Sequence, residues 1–387
     1  MEKLVFFDSE EHTTLLPLTY TKPVSEIRVG ILKIQEKWQK LLDLPFSHYT
    51  QPHLSKQFSL ELAQDNLFIW GALLPSQELI TAISFLKTEQ VLTSKGRILA
   101  ARGSDLHVLK NHSQSIELST SFDFISRPWH IFLLNGLEIE NDIKTLKLSA
   151  ANHSKSIAYG DSSKLFIHPT ARVNALSLNT EAGSIYVGPN AKISEGSMIR
   201  GPFALCENST VKMGTKIYEN TTVGPQSKVG GELNNVVVQG YSNKGHDGFL
   251  GNSVIGEWCN LGADTNCSNL KNNYSNVRVW DYLSNSGIDT ELTFCGLIMG
   301  DHSKTGINTM LNTGTLVGVG SNIFGANFPP KFVPSFSWGS GSDFEEHNFE
   351  KFCSTASRVM ARREIQFSTT QKELLNAVFL ETKKFRQ

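Results

Sequence analysis

One histidine stands in a part of this sequence that could support proton-transfer chemistry. His246 lies in a glycine- and asparagine-rich segment, residues 243–249, just before a series of aliphatic–glycine pairs. An imidazole with an ordinary pKa of about 6.5 can accept and release a proton at neutral pH, as general acid–base catalysis requires. A lone histidine is more often structural than catalytic, so its surroundings must decide its role. His302 is a second, weaker candidate, with a corner position in a repeat as its alternative role.

Basic residues in both halves of the chain could bind phosphate groups. Lys22, Arg28 and Lys37 flank a predicted loop-to-helix junction, where the start of a helix and nearby cations favour a nucleotide phosphate. Lys271 and Arg278 lie in the C-terminal half and could meet a phosphate there. The alternative for the first group is a set of exposed basic residues on one face of a helix.

The elements that must position these residues are set by a six-residue repeat. Eight aliphatic residues follow one another at this spacing: Val187, Ile193, Ile199, Leu205, Val211, Ile217, Val223 and Val229. Neither a helix of period 3.6 nor an ordinary strand of period 2 explains the pattern. A period of six is typical of parallel β-helices, in which each short strand sends one aliphatic side chain inward. Glycine and asparagine between these positions suit tight corners.

The same register predicts the limits of the β-helix. It extends through Ile167 and Val173 upstream, through Leu250, Ile255 and Leu261 downstream, and, after an interruption at 268–294, through Ile307, Thr313 and Val319. We therefore expect a β-helix domain at 165–330. Because a solenoid leaves its flat side faces uncovered, the repeat also predicts a homotrimer.

The rest of the chain is predicted to form an α/β domain and a helical tail. Residues 1–150 form the α/β domain, 151–164 a linker and 331–387 a tail with two helices that cap the end of the β-helix. Strands are expected at Leu4–Phe7, Leu67–Leu74 and Ile98–Ala101, and helices at Ile27–Leu42, Gln77–Leu86 and Thr370–Lys384, with a further helix from about Asp343.

Net charge, hydrophobic runs and cysteine content indicate which partners and which cellular compartment the protein could have. The 387 residues carry a net charge of −1, so no overall field favours nucleic acid or an anionic membrane. No apolar run reaches the roughly 18–20 residues that a membrane-spanning helix needs, so membrane insertion is not expected. The 5 cysteines form no C-x-x-C pair, which fits reduced thiols and a cytoplasmic protein.

The segment around His246 resembles a known family. His246 is followed by Leu250-Gly251, Ile255-Gly256 and Asn260-Leu261-Gly262-Ala263, and the segment ends at Asn269. The order and spacing resemble the acetyltransferase domain of the bifunctional N-acetylglucosamine-1-phosphate uridyltransferase/glucosamine-1-phosphate acetyltransferase family and its archaeal relatives. The stretch 300–308 resembles the archaeal type. The resemblance covers about 165–325 and implies that the coil of the β-helix is left-handed.

The resemblance implies roles for individual residues. His246 matches the family's catalytic histidine, and Asn269 matches an asparagine that orients the sugar amine or polarises the thioester of acetyl-CoA. Asn260 matches a sugar-binding asparagine. Phe249 stands where the family commonly has a substrate-contacting tyrosine, and Asp264 replaces a small residue. Lys271 and Arg278 would then be candidates for the phosphates of CoA or of the sugar.

The first 150 residues resemble the Rossmann-like N-terminal domain of sugar nucleotidyltransferases that carry hexapeptide repeats. The resemblance implies a nucleoside triphosphate such as UTP as a substrate, with Mg²⁺ held by acidic residues. Neither G-x-G-x-x-G nor a Walker A motif is present, and Trp70-Gly71-Ala72 stands where a carboxylate is expected. Asp105 and Asp142 are candidate metal ligands, with ordinary surface carboxylates as the alternative.

Three functional hypotheses follow. The first is an acetyl-CoA-dependent N-acetyltransferase that acts on an amino-sugar 1-phosphate such as glucosamine-1-phosphate. Its nucleotidyltransferase-like domain would make UDP-N-acetylglucosamine or a related nucleotide sugar. The second is a trimeric assembly that binds sugar nucleotides and has a degenerate, inactive N-terminal domain. The third is a structural scaffold, which His246 together with Asn269 argues against. Since hexapeptide β-helices serve many acceptors, the site must decide between these hypotheses.

Overall fold

A computed structural model describes residues 2–341 and 343–386. An N-terminal α/β domain is followed by a parallel β-solenoid of about 10 turns and by two C-terminal helices. This architecture confirms the fold class that the repeat predicted. The left hand of the coil stays a prediction from the resemblance.

The N-terminal domain contains one six-stranded mixed sheet. Its elements are β1 (Glu2–Phe7), α1 (Glu11–Thr14), α2 (Ile34–Leu42), β2 (Phe46–Tyr49), β3 (Asp65–Trp70), α3 (Gln77–Ser84), β4 (Gln90–Ser94), β5 (Arg97–Gly103), β6 (Gln114–Glu117) and α4 (Pro128–Thr145). The strand order is β2-β1-β3-β5-β4-β6, with β2, β1 and β3 parallel and β5 antiparallel to both of its neighbours.

The helix predicted from Ile27 begins only at Ile34. In the segment before it, backbone N–H groups donate hydrogen bonds to side chains from distant parts of the chain. The N–H of Arg28 donates to Gln239 Oε1 at 2.7 Å, and those of Ile31 and Leu32 donate to Asp142 Oδ2 at 2.7 and 2.9 Å. Because these partners are remote in sequence, the prediction from hydrophobic periodicity alone placed the start of the helix too early.

The solenoid has three faces built from short parallel strands. The first face comprises β7 (Ile157–Tyr159), β10 (Ser177–Asn179), β13 (Met198–Arg200), β16 (Lys216–Ile217), the first halves of β19 (Glu232–Gly240) and β21 (Phe249–Glu257), β22 (Asn266–Cys267) and β27 (Met310–Leu311). The second comprises β8 (Leu165–Ile167), β11 (Ile185–Val187), β14 (Phe203–Leu205), β17 (Thr221–Val223), the second halves of β19 and β21, β25 (Ile298–Met299), β28 (Leu316–Val317) and β30 (Phe332–Val333).

The third face lies between the second and the first along each turn. It comprises β9 (Arg172–Val173), β12 (Lys192–Ile193), β15 (Thr210–Val211), β18 (Lys228–Val229), β20 (Asn243–Lys244), β26 (Lys304–Thr305), β29 (Asn322–Ile323) and β31 (Ser337–Ser340), with β32 (Asp343–Glu346) antiparallel to β31. A hairpin of β23 (Arg278–Asp281) and β24 (Ser286–Asp289) fills the interruption in the repeat. The strands β7, β30 and β31 carry the solenoid beyond the expected 165–330 at both ends.

The six-residue ladder forms the interior of the solenoid. All eight residues from Val187 to Val229 are at most 2% exposed and belong to one core cluster. Downstream of the hairpin the predicted register is wrong, because Ile307 is 70% exposed. The inward positions are instead Met299, Leu311, Val317 and Ile323. Cys267 pairs with Leu311, 44 residues further along, and this spacing is no multiple of six.

The N-terminal domain packs on the second face of the solenoid. Helix α4 contacts β14, β17, β19 and β21. Four aliphatic residues of the second face join the core of the N-terminal domain: Val237, Val254, Ile298 and Leu316. The two parts therefore share one hydrophobic core.

The C-terminal helices α5 (Phe349–Ala361) and α6 (Thr369–Glu381) run along a corner of the solenoid and do not close its end. They pack on Val319 and Phe336, at the corner between the second and third faces, and on Leu16, Tyr20 and Leu54 of the N-terminal domain. The two helices, which were expected to cap the end of the solenoid, therefore pack against its side, because their apolar faces contact the residues at that corner.

The register predicts unequal costs for two identical substitutions. Ile199→Ala should lower the free energy of unfolding by about 2–5 kcal/mol, because it leaves a cavity in the ladder. Ile307→Ala should change it by less than about 0.5 kcal/mol, since that side chain is already in solvent. Urea unfolding followed by circular dichroism measures both. Equal destabilisation by the two variants would contradict the register.

Candidate functional site

A groove runs along the third face of the solenoid, between its strands and the end of α5. Its lining includes His246, Asn260 and Trp258 from the solenoid and Arg362 and Arg363 from the turn after α5. The free volume is about 630 Å³, which is room for an extended ligand.

The floor of the groove is backbone. Gly245 and Gly262 follow the inward positions of two successive turns, and both line the groove. A Cβ at Gly262 would lie 2.4 Å from the carbonyl oxygen of Gly306 on the next turn, so a side chain does not fit there. A ligand can therefore lie directly against the chain.

Four cations that line the groove lie close together at one end of it: Lys212, Lys228, Arg362 and Arg363. Lys192 adds a further positive charge near Lys228. Partial burial, together with the four neighbouring positive charges, lowers the pKa of Lys228. Burial and the adjacent Arg362 likewise lower the pKa of Arg363. Repulsion of this kind is relieved when an anion binds, so this end of the groove favours a ligand with several negative charges.

His246 is exposed at the rim of the groove, where a ligand can reach its ring. A buried lysine holds the turn on which it lies. Lys244 occupies an inward position opposite Val229, and its Nζ donates to the carbonyl oxygens of His246 at 2.5 Å and Asp247 at 2.8 Å. Burial lowers the pKa of Lys244 to about 8. Lys244 was not among the site residues expected from the sequence. A charged residue at a ladder position was the signal that could have identified it.

Phe249 and Asn269 lie at a different corner from His246. The Nδ2 of Asn269 donates to Asn252 Oδ1 at 2.7 Å, and the Asn269 amide and the Phe249 ring both crowd the Cα of Gly251. This corner joins the first and second faces. The described residues that line the groove do not include Phe249 or Asn269. The fold therefore brings His246 together with Asn260 and leaves Asn269 outside the groove of the same protomer.

Lys271 and Arg278 belong to the inserted segment between the solenoid turns. The Nζ of Lys271 donates to Ser275 Oγ at 3.3 Å and also to the carbonyl oxygen of Asn276. A guanidinium nitrogen of Arg278 donates to the carbonyl oxygen of Gly287. Arg278 is exposed and Lys271 is half-buried, and their contact with a ligand phosphate stays a prediction.

The three basic residues proposed for the nucleotide are buried against protein partners. Lys22 pairs with Glu257 at 3.1 Å and with Asp301 at 3.0 Å, on the solenoid. The Nε of Arg28 donates to the carbonyl oxygen of Gln239 at 3.2 Å, and Lys37 pairs with Asp142 and Glu138. The loop that the sequence suggested for phosphate binding is thus a docking surface for the solenoid. Nucleotide binding by these residues stays a prediction.

The two candidate metal ligands have other partners. Asp105 is exposed and accepts from the N–H of His107 at 2.7 Å, at the start of a short helix. Both carboxylate oxygens of Asp142 are occupied by Lys37 and by backbone N–H groups, and burial raises its pKa to about 6. Within residues 2–341 and 343–386, no group of three or more His, Cys, Asp or Glu side chains could hold a metal ion. The donor set does not fit Mg²⁺.

All five cysteines are free and buried, as expected for reduced thiols. In the part of the chain that the structure describes, no helix has the length and apolar character to cross a membrane.

Comparisons with known proteins show what the chain is similar to. Residues 4–150 match the sugar nucleotidyl transferase family model. The chain is 32% identical over 117 residues to the bifunctional protein GlmU of Methanococcus aeolicus, which is 30% of this chain and 26% of that protein. It is 22% identical over 265 residues to the bifunctional sugar-1-phosphate nucleotidylyltransferase/acetyltransferase of Sulfurisphaera tokodaii, which is 65% of this chain and 59% of that protein.

A third relative is named as an acetyltransferase only. The uncharacterized acetyltransferase YaiX of Escherichia coli is 24% identical over 144 residues, which is 36% of this chain and 61% of that protein. The chain thus covers between 26% and 61% of the length of these relatives. The matches confirm the resemblance that the motifs around His246 indicated: the chain is similar to proteins that join a sugar nucleotidyl transferase to an acetyltransferase.

Lys37 provides a test of its structural role. Lys37→Met should lower the free energy of unfolding by about 3–5 kcal/mol, because it leaves Asp142 and Glu138 buried without their cation. Lys40→Met, on the exposed side of the same helix, is the matched control and should be nearly neutral. Denaturant unfolding of the full chain measures both. If Lys37 served only to bind a nucleotide, Lys37→Met would leave the free energy of unfolding unchanged.

Proposed function

We propose that this chain is an acyltransferase that moves the acetyl group of acetyl-CoA onto the amine of an amino-sugar 1-phosphate, such as glucosamine-1-phosphate. The observation that carries the proposal is the groove with a cluster of mutually repelling cations at one end and His246 at its rim. The similarity to acetyltransferases supports it.

The groove suits the shape and charge of acetyl-CoA. CoA is extended and carries its phosphates away from the thioester, so the cations at the end of α5 would hold the phosphates. The narrow arm that links them to the thioester would lie on the floor at Gly245 and Gly262. This arrangement brings the thioester toward His246 and the amine of the acceptor toward Asn260.

The reaction needs one base. The amine nitrogen attacks the thioester carbonyl, the C–S bond breaks, and an amide bond forms. His246, as a neutral imidazole, takes the proton from the attacking amine and returns it to the departing CoA thiolate. Lys244 is a positioning residue, because its ammonium group fixes the two carbonyl groups of the turn that carries the imidazole.

A homotrimer would complete this site. The N-terminal domain covers the second face and α5 borders the third, whereas the first face exposes Ile157, Tyr159, Met198 and Met310. These apolar side chains alternate on the first face with the polar side chains of Ser177, Lys216 and Glu232, and a solenoid face left uncovered in this way is available to a second copy of the chain. Packing of two copies through this face would set the Phe249–Asn269 corner of one copy near the groove of the next, where Asn269 would orient the acceptor amine.

The N-terminal domain is proposed to bind a sugar nucleotide. Its similarity to sugar nucleotidyl transferases supports synthesis of UDP-N-acetylglucosamine or a related product from the acetylated sugar phosphate and UTP. The buried partners of Lys22, Lys37 and Asp142 instead favour a domain that binds without catalysis. Release of pyrophosphate from UTP and N-acetylglucosamine-1-phosphate distinguishes the two alternatives.

The oligomeric state should depend on the first face. The wild-type chain should scatter light as a trimer at micromolar concentration, and Ile157→Lys should shift the mass toward the monomer because it replaces an exposed apolar side chain of this face by a charged one. Leu283→Lys, on the exposed hairpin, is the control and should leave the trimer intact. A monomeric wild-type protein would rule out a shared site.

The proposed base and the proposed phosphate-binding cations should affect different kinetic constants. His246→Ala should lower kcat by roughly 10²–10⁴-fold with little change in KM for acetyl-CoA, because only proton transfer is lost. Arg362→Ala should raise KM for acetyl-CoA with little change in kcat, since it weakens binding of the phosphates. Release of free thiol from acetyl-CoA and glucosamine-1-phosphate measures both constants.

Near-wild-type turnover by a folded His246→Ala protein would refute the assignment of the base. Asn269→Ala gives an independent check, because it should slow turnover only if the neighbouring copy supplies this residue. The fold should survive all of these substitutions, since none of them touches the aliphatic ladder.

A further inference from the structure

A second cavity lies where the N-terminal domain, the solenoid and α6 meet. Its volume is about 190 Å³. The lining comes from the N-terminal domain, among it Glu26 and Gln57, from the solenoid, among it Glu257 and His302, and from the region of α6, among it Leu374. No step of the proposed acyl transfer uses this cavity.

The charged groups of the cavity wall leave no surplus positive charge. Lys22 bridges Glu257 and Asp301, and Lys33 pairs with Glu26 at 2.7 Å. Three carboxyl groups thus face two ammonium groups. Burial alone would raise the pKa of Glu257, but Lys22 and Lys33 together lower it to about 2, so this carboxylate stays ionised. The wall is therefore a poor site for a phosphate and a suitable one for an ammonium group.

His302 has an enclosed nitrogen without a partner. The side chain is 8% exposed, and its Nδ1 makes no hydrogen bond within the described residues. Burial, together with Lys304, lowers its pKa to about 3, so the imidazole is neutral and offers one donor and one acceptor. The backbone of His302 has φ of 62°, the left-handed conformation that Tyr241 and Trp258 also adopt at corners of the solenoid. The buried polar atom without a partner therefore marks this residue as one where a ligand could bind.

Part of the remaining wall is apolar. Phe58, Phe367, Leu374 and Leu375 line the cavity, and Trp258 is held in place by stacking on Tyr241 at 4.3 Å. Aromatic and aliphatic side chains beside converging polar groups are typical of a site for a small polar molecule. Trp258 also lines the groove that holds His246, so the two cavities share one wall.

We propose that this cavity binds a small hydroxyl-rich ligand that carries an ammonium group and no phosphate, of the size of a free hexosamine. The hydroxyl groups bond to His302 and Gln57, the ammonium group pairs with Glu26, and the carbon face of the ring lies on the aromatic side chains. The site is separate from the acyl-transfer groove and does not depend on the function proposed there.

Calorimetry on the intact protein with D-glucosamine as the probe tests the site. The wild-type protein should bind glucosamine at least tenfold more tightly than glucose, which has the same ring without the ammonium group. Glucose 6-phosphate should show no gain over glucose. Equal binding of glucosamine and glucose, or no heat at tens of millimolar glucosamine, overturns the proposal; in the latter case the cavity holds water only.

Three variants locate the binding. His302→Asn keeps a residue that tolerates positive φ, and Glu26→Gln keeps the shape while removing a charge; each should weaken glucosamine binding at least tenfold. Gln57→Ala changes an exposed residue whose loss does not threaten the fold, and it should weaken binding as well. Asn260→Ala, at the proposed acceptor position of the acyl-transfer groove, should leave glucosamine binding unchanged. Loss of binding in Asn260→Ala but not in the other three variants would move the ligand to the groove and refute the second site.

Discussion

The burial of the second face of the solenoid against the N-terminal domain is the contact on which the rest of this structure depends. Val237, Val254, Ile298 and Leu316 point away from the interior of the solenoid, and without the domain they would form an apolar stripe in water. Their burial joins two units into one core. The same contact encloses the Lys37–Asp142 pair, whose charges are tolerated because each satisfies the other.

That contact also decides which surfaces remain for ligands and for other copies of the chain. With the second face covered and the C-terminal helices along its corner, the groove on the third face and the first face itself stay accessible. The C-terminal tail shapes the groove as well as bracing the corner, because Arg362 and Arg363 complete its cationic end.

Two buried polar residues of the solenoid lie next to its two cavities. Lys244 stands in the aliphatic ladder and holds the turn of His246, and His302 stands at a corner with an unsatisfied nitrogen. Each carries a cost in stability that a structural repeat has no need to bear. Both residues lie beside a cavity, which gives a physical reason for their presence.

The sequence by itself determined the solenoid and the segment of His246. The ladder from Val187 to Val229 is a local repeat, and inward burial of one aliphatic residue in six needs no knowledge of the remaining fold. Only the tertiary structure decided the register after the insertion. The step from Cys267 to Leu311 is 44 residues, which is no multiple of six, so the repeat in the sequence does not predict this pairing. It also decided the partners of Lys22 and Lys37, since ion pairs form between residues that are remote along the chain and leave no periodic trace in it. The separation of His246 from Asn269 has the same origin: the path of the chain around the corners sets which side chains meet.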